Sequence, residues 1–125
     1  MSTLVSGEVG VKITAIAVNP VDWKMRDYDA FISEYPAILG SGAAGTIAAI
    51  GPRVSDFVVG DRFFFRGIIR KYESSTFQRF CKMPAVLVSK IPSKISDEQA
   101  AGVSLTTMAI LTAFYDKEGR GLIPP

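Results

Sequence analysis

Hydrophobic and polar residues alternate most clearly in residues 8–18, near the start of the chain. The odd-numbered positions from 9 to 17 are apolar, whereas Lys12 and Thr14 lie on the other face. This period of two predicts a β-strand with one buried face. Asn19-Pro20 ends the strand, because the residue before a proline is disfavoured in helical conformation. Residues 21–27 lack glycine and proline and predict one or two helical turns.

Short apolar segments separated by glycine and proline follow in the middle of the chain. Gly51-Pro52 and Gly60-Asp61 are turn signals, and Pro84 interrupts a later apolar stretch. Many short strands with such turns are typical of a small β-barrel or sandwich. The predicted strands cover residues 46–50, 63–65, 77–83 and 85–91.

The pattern becomes helical from Ser96 onward. Ser96 and Gln99 have the spacing of a capping box, in which each side chain bonds the backbone of the other residue. Beyond them, Leu105, Met108 and Thr112 recur at helical spacing. One or two helices are therefore predicted over residues 97–117.

Composition is that of one globular domain. The chain has 125 residues, of which 48% are hydrophobic and 21% charged. The formal net charge of +2 gives little support for a nucleic-acid partner. No apolar run approaches the roughly 20 residues of a membrane span, and the N-terminus lacks a secretory pattern. The sequence predicts a soluble, cytoplasmic domain with neither a nucleic-acid nor a membrane partner.

Histidine is absent and Cys81 is the single cysteine. This excludes His-based triads and an intramolecular disulfide, and we expect no metal site. Because no imidazole could activate it, Cys81 is predicted to be a buried structural thiol.

Residues 40–45 read Gly-Ser-Gly-Ala-Ala-Gly, the G-x-G-x-x-G spacing of a dinucleotide-binding loop. That loop must follow a buried strand and open a crossover helix. Here only three residues separate Pro36 from Gly40, and Gly51-Pro52 soon interrupts the chain. The motif is therefore interpreted as unrelated to phosphate binding.

Asn19 and Asp22 place an amide and a carboxylate at the end of the first predicted strand. Residue chemistry alone favours a helix cap, because both side chains bond nearby backbone amides. Lys24 by itself would be a solvated charge. A functional site at this position remains the alternative interpretation.

The order of these segments resembles the N-terminal, GroES-like catalytic domain of the medium-chain dehydrogenase/reductase superfamily. The resemblance rests on residues 7–27, 35–65 and 83–102, which include Asn-Pro-Val-Asp, Pro-x-Ile-Leu-Gly-Ser and Val-Gly-Asp-Arg. The Asn-Pro-Val-Asp motif resembles that of the zinc-free branch of the superfamily. Within this branch, the sequence is most similar to fungal stand-alone enoyl reductases and to quinone oxidoreductases. The implied fold is mostly β with short helices. It is a GroES-like, partly open β-barrel whose C-terminal helix would lead into a Rossmann domain.

The resemblance also implies functional roles. Zinc-dependent relatives carry Cys at the position of Asn19 and His at the position of Ser41. The resemblance therefore implies that this chain lacks the ligands of the catalytic zinc. By the same resemblance, Asn19 and Lys24 are expected to be catalytic, facing the cleft where the nicotinamide of NADPH meets the substrate carbonyl. Asp22 and Ser41 are expected to line the substrate cleft.

Cofactor contacts are expected from Asn19 and from Thr106 and Thr107 of the C-terminal helix, with Thr112 as an alternative. The implied reaction is the NADP(H)-dependent reduction of an activated double bond, in an enoyl thioester or in a quinone or enone. The expected partners are a small-molecule or acyl-thioester substrate and a polyketide synthase.

This sequence departs from the relatives it resembles. Gly42 stands where they usually carry Asp or Glu. Residues 1–125 are expected to form the GroES-like substrate-side domain alone, truncated at both ends and without the nucleotide-binding domain. Two alternatives remain open, a non-enzymatic scaffold or interaction module and an inactive truncated product.

Overall fold

The structure is a computed structural model, and it describes residues 3–124. In this range, one antiparallel sheet of five strands packs against the longer of two α-helices. Short 3-10 turns occur at Tyr72–Ser74 and Ala85–Leu87. In chain order, the elements are β1 (Glu8–Ala17), α1 (Pro20–Tyr28), β2 (Gly42–Ile50), β3 (Arg62–Arg66), β4 (Phe80–Pro84), β5 (Val88–Lys90) and α2 (Asp97–Tyr115).

The strands lie in the order β4-β1-β2-β3-β5, and every neighbouring pair is antiparallel. The sheet is open, because β4 and β5 each pair with one strand among residues 3–124. The mostly β, partly open architecture expected from the sequence is therefore confirmed. Within the same residues, neither helix has both the length and the hydrophobicity that a membrane span requires.

The inward-facing side chains of β1 contribute to two hydrophobic clusters. Val9 and Val11 are fully buried in the larger cluster on one face of the sheet. Ala15 and Ala17 instead pack into a smaller cluster beneath α2. The register of β1 against β2 shifts between Ile13 and Ala15, and such a bulge bends a strand. The predicted inward face of β1 is confirmed, but it contributes to both clusters.

The glycine-rich segment is a strand, which corrects the expected start of β2. The strand begins at Gly42 and not at Thr46. Gly45 permits close approach of β1, because a Cβ atom there would lie 2.4 Å from the carbonyl oxygen of Lys12. The glycine therefore serves strand pairing.

The predicted strand over residues 85–91 is shorter than expected. Ala85–Leu87 form a 3-10 turn, and only Val88–Lys90 pair with β3. Val86 is 90% exposed. The β-favouring composition of this segment did not reveal that Val86 and Leu87 remain exposed.

The first turn of α2 is fixed as the sequence predicted. The Gln99 amide N–H donates to Ser96 Oγ at 3.2 Å, and the Ser96 N–H donates to Gln99 Oε1 at 3.0 Å. Asp97 ties this turn to the sheet by accepting from Thr14 Oγ1 at 2.5 Å and from Arg62 Nη2 at 2.6 Å. The helix ends at Tyr115, two residues before the predicted end.

Only the first half of α2 is packed. Ala100, Ala101 and Ser104 are buried against the sheet. In the second half, four large apolar side chains are 41–50% exposed. These side chains are Met108, Ile110, Leu111 and Phe114.

Candidate functional site

Three of the expected site residues meet where β1 passes into α1 and β2 begins. We call Asn19, Asp22 and Ser41 the Asn19 cluster. Asn19 is the N-cap of α1 in extended conformation, and Pro20 is the first helical residue. Proline suits that position, because its fixed φ is helical and an N–H there would lack a helical partner. The local sequence thus places Asn19 at the strand end and Asp22 in the first helical turn.

Asp22 is the buried centre of the Asn19 cluster, with 4% of its surface exposed. The Asn19 backbone N–H donates to Asp22 Oδ2 at 2.7 Å, and Ser41 Oγ lies 3.4 Å from Asp22 Oδ1. No Lys or Arg of residues 3–124 forms an ion pair with this carboxylate. The positive end of the α1 dipole favours its charge instead. The Asp22 carboxylate thus caps the Asn19 N–H as residue chemistry predicted, and Ser41 joins this arrangement.

The Asn19 side-chain amide has spare donor capacity. Its Nδ2 donates to the Ala17 carbonyl oxygen at 3.1 Å. An amide nitrogen carries two hydrogens. The second hydrogen has no partner within residues 3–124, and Asn19 is 9% exposed at the surface of the cluster. It can therefore donate to a ligand oxygen.

Lys24 lies on α1, but the structure does not join it to the Asn19 cluster. Residues two apart on a helix do not face each other, so Lys24 and Asp22 point in different directions. The Lys24 ammonium lies 5.8 Å from the centre of the Trp23 ring and forms no ion pair with residues 3–124. Its side chain is exposed and free to approach a ligand.

Thr106 and Thr107 are exposed on α2, and neither takes part in the hydrogen bonds of the Asn19 cluster. Ser104 instead comes close to it, because a Cβ atom at Gly42, next to Ser41, would lie 2.9 Å from Ser104 Oγ. Sequence reasoning missed Ser104. The available signal was its position four residues after Ala100, which places both on one helix face.

A groove of about 640 Å³ lies between the end of β3 and α2, and we call it the β3–α2 groove. It extends past the loop that follows β3 to the 3-10 turn before β5. Apolar side chains form most of its walls, and one charged residue lines it. Its lining includes Phe64, Arg66, Ile68, Leu87, Ser104 and Met108.

The G-x-G-x-x-G sequence has no phosphate-binding geometry. Gly42 and Gly45 lie inside β2, which continues to Ile50 as a strand. A phosphate loop needs the N-terminus of a following helix, whose amides point at the ligand. The sequence-based rejection of this motif is confirmed.

The donor set does not suit zinc. Within residues 3–124, no three His, Cys, Asp or Glu side chains are grouped closely enough to hold a metal ion. Burial raises the pKa of Cys81, on β4 opposite Val11, to about 12. The Asn19 cluster offers an amide, a carboxylate and a hydroxyl, whereas zinc sites use thiolates, imidazoles and carboxylates.

Known proteins resemble most of the chain. Residues 5–93 match the family model described as the alcohol dehydrogenase GroES-like domain. The trans-enoyl reductase himH of Aspergillus japonicus is 36% identical over 111 residues, covering 86% of this chain and 32% of the relative. A zinc-type alcohol dehydrogenase-like protein of Staphylococcus aureus is 36% identical over 110 residues, covering 87% and 31%. The chain thus spans about a third of the length of these relatives.

Solved structures share the fold. An alcohol dehydrogenase superfamily protein from Novosphingobium aromaticivorans superposes with a TM-score of 0.84 at 31% identity, covering 93% of this chain and 36% of that one. The Escherichia coli quinone oxidoreductase complexed with NADPH gives a TM-score of 0.77 at 23% identity, covering 95% and 36%. At 23% identity, the comparison with the Escherichia coli enzyme shows a shared fold only.

Proposed function

Because this chain belongs to the family of alcohol dehydrogenase GroES-like domains, we propose that it is the substrate-side domain of a zinc-free, NADP(H)-dependent oxidoreductase. The proposed reaction reduces an activated carbon–carbon double bond, in an enoyl thioester or in a quinone or enone. The observation that carries this proposal is the Asn19 cluster. It holds an amide with an unused hydrogen at the end of β1, where the described residues provide no thiolate or imidazole for zinc.

Reduction of a double bond conjugated to a carbonyl builds negative charge on the carbonyl oxygen. A fixed donor aimed at that oxygen stabilises the transition state more than the ground state. The Asn19 amide is held by the Ala17 carbonyl and by burial, so it donates without reorganising. The unpaired Lys24 ammonium supplies a mobile positive charge or a proton to the same oxygen.

Zinc is not needed for this charge stabilisation. Relatives include proteins named zinc-type, as in Staphylococcus aureus. In this chain the candidate site has no thiolate or imidazole, because histidine is absent and Cys81 is buried on β4. The Asn19 and Lys24 donors take the place of a Lewis acid in the proposal.

NADPH supplies the hydride when it is bound. In this proposal, Asn19 and the exposed hydroxyls of Thr106 and Thr107 contact the nicotinamide side of the cofactor. The trans-enoyl reductase relative favours an enoyl thioester as the substrate. A polyketide synthase is proposed as the partner that carries this thioester, on the sequence resemblance alone. The NADPH-complexed quinone oxidoreductase shares the fold, and the choice of NADPH rests on the sequence resemblance.

The test fuses this chain to the nucleotide-binding domain of a relative. Oxidation of NADPH and of NADH is followed with an enoyl thioester and with a quinone. We expect turnover with NADPH. Lys24→Ala should lower kcat by about 10²–10³-fold, the usual loss for a donor to a developing oxyanion, without changing Tm.

Two further variants separate chemistry from folding. Asn19→Ser keeps an N-cap residue, so Tm should change little while kcat falls. Lys94→Ala removes an exposed lysine elsewhere and should change neither quantity. If Lys24→Ala and Asn19→Ser both retain kcat within about threefold, less than 1.4 kcal/mol of barrier, the catalytic assignment is wrong.

A further inference from the structure

The β3–α2 groove has a charge arrangement that the proposed reaction does not use. Phe64 and Met108 line the groove from β3 and α2, and Ile68 and Leu87 line it from the connecting segments. Arg66, at the end of β3, is the charged residue among the lining residues, all of which belong to the described chain. The β3–α2 groove is therefore mostly apolar and carries one positive charge, that of Arg66.

Arg66 is positioned by the pleat of β3. Side chains alternate along a strand, so Arg66 lies on the same face as Phe64, which packs beneath α2. Its cross-strand partner is Gly42, which has no side chain to cover it. The guanidinium forms no ion pair or hydrogen bond with residues 3–124, where the paired cations are Arg26, Arg62, Lys82 and Lys90.

One end of the groove borders the Asn19 cluster. The Gly67 backbone N–H donates to the Ser41 carbonyl oxygen at 2.9 Å. Ser104 lines the groove and also contacts Gly42. Its hydroxyl hydrogen is donated to the Ala101 carbonyl at 3.0 Å, so its free lone pairs can accept from a ligand. A ligand in the groove would thus reach the proposed reaction site.

From this geometry we infer that the β3–α2 groove binds the apolar body of a monoanionic carboxylate whose charged group pairs with Arg66. A single planar guanidinium matches one carboxylate through two parallel hydrogen bonds. A phosphate dianion would leave one charge unbalanced. The inference rests on the proposed function when it names the substrate class, namely an unsaturated acyl or enone compound carrying a carboxylate.

The test measures binding to the purified 125-residue chain and needs no cofactor. Octanoate, its neutral isostere octanamide, and octyl phosphate are titrated by calorimetry. We expect octanoate to bind about fivefold or more tightly than octanamide, as a partly exposed charge pair allows. Octanoate should also bind more tightly than octyl phosphate. Amide NMR shifts should be largest at Gly67 and Ser104.

Two arginine variants show whether the octanoate preference depends on a contact with Arg66 or only on the net charge of the chain. Arg66→Gln should reduce the octanoate preference to less than about twofold and leave octanamide binding unchanged. Arg79→Gln makes the same change of net charge at an exposed site outside the groove, and it should retain the preference. Circular dichroism melting of each variant checks that the fold is retained.

The remaining outcomes overturn the inference. These are equal binding of octanoate and octanamide, a preference that survives Arg66→Gln, tighter binding of octyl phosphate, or NMR shifts away from the groove. If the unsubstituted chain shows no preference for octanoate but the fusion reduces its substrate normally, the carboxylate specificity alone is rejected. A retained preference without turnover would instead reject the proposed function.

Discussion

Gly42 and Ser104 are in close contact where β2 passes beneath α2. A Cβ atom at Gly42 would lie 2.9 Å from Ser104 Oγ and 3.2 Å from the Ala101 carbonyl oxygen. The sequence resemblance implies Asp or Glu at the position of Gly42. In this chain the serine hydroxyl fills the adjacent space, so the missing carboxylate has a steric explanation.

We expect Gly42→Ala to destabilise the fold by about 1–3 kcal/mol, the usual cost of overpacking. Ser104→Ala should recover part of that loss, because it removes the nearest atom. Urea unfolding of the two single variants and the double variant gives their coupling energy.

Gly102→Ala is the matched control for the Gly42 variant. Apart from neighbouring residues of the helix itself, no atom of residues 3–124 lies within 4 Å of a Cβ at Gly102. Gly102→Ala should therefore raise the free energy of unfolding by about 0.5–1 kcal/mol. Strictly additive effects of Gly42→Ala and Ser104→Ala would mean that the contact does not determine the choice of glycine.

Local rules account for the elements that the sequence predicted well. The alternation in β1 and the capping box at Ser96 and Gln99 each depend on residues a few positions apart. The N-terminal turn of α1 follows in the same way from Asn19-Pro20. These features need no knowledge of the rest of the fold.

Contacts between distant segments could not be predicted in this way. The approach of Ser104 to Gly42 and the exposure of Arg66 depend on how α2 lies across the sheet. The apolar residues of α2 extend around the helix, so the sequence did not reveal which face is buried. Thr106 and Thr107, chosen by resemblance, lie exposed, whereas Ser104 lies against the sheet.

Cys81 should be inert toward alkylating reagents while the protein is folded. The thiolate is the reactive form, and burial raises the pKa of this thiol to about 12. At about pH 8, far below that pKa, iodoacetamide labelling followed by mass spectrometry should be slow for the native chain and complete in denaturant. Equal labelling rates in the two states would contradict the burial of Cys81.

The 125-residue chain should bind NADPH only weakly. Gly42 and Gly45 lie within β2, so their amides are not arranged as a phosphate-binding helix terminus. Calorimetry should give a dissociation constant above about 1 mM, whereas the fusion with a relative's nucleotide-binding domain should bind far more tightly. Micromolar binding by the unfused chain would show a dinucleotide site that the described residues do not reveal.

The link between Asp97 and the sheet should make stability depend on pH in a defined direction. The Thr14 hydroxyl, and after it the Arg62 guanidinium, lowers the pKa of Asp97 below its ordinary value of 3.8, although partial burial opposes the shift. The folded-state pKa is therefore lower than the unfolded one. The ionised carboxylate stabilises the fold above about pH 3.8, and this contribution is lost as the pH falls through the folded-state pKa.

Asp97→Asn should accordingly destabilise the chain by about 0.5–1 kcal/mol near neutral pH, a modest value because Arg62 is partly exposed. The difference from wild type should shrink toward zero as urea unfolding is repeated at decreasing pH below about 4. Asp56→Asn is the control, since its carboxylate accepts only from Ser55 in an exposed loop of the described chain. A deficit of Asp97→Asn that stays constant down to the lowest pH would show that packing of this side chain, and not its charge, holds α2 to the sheet.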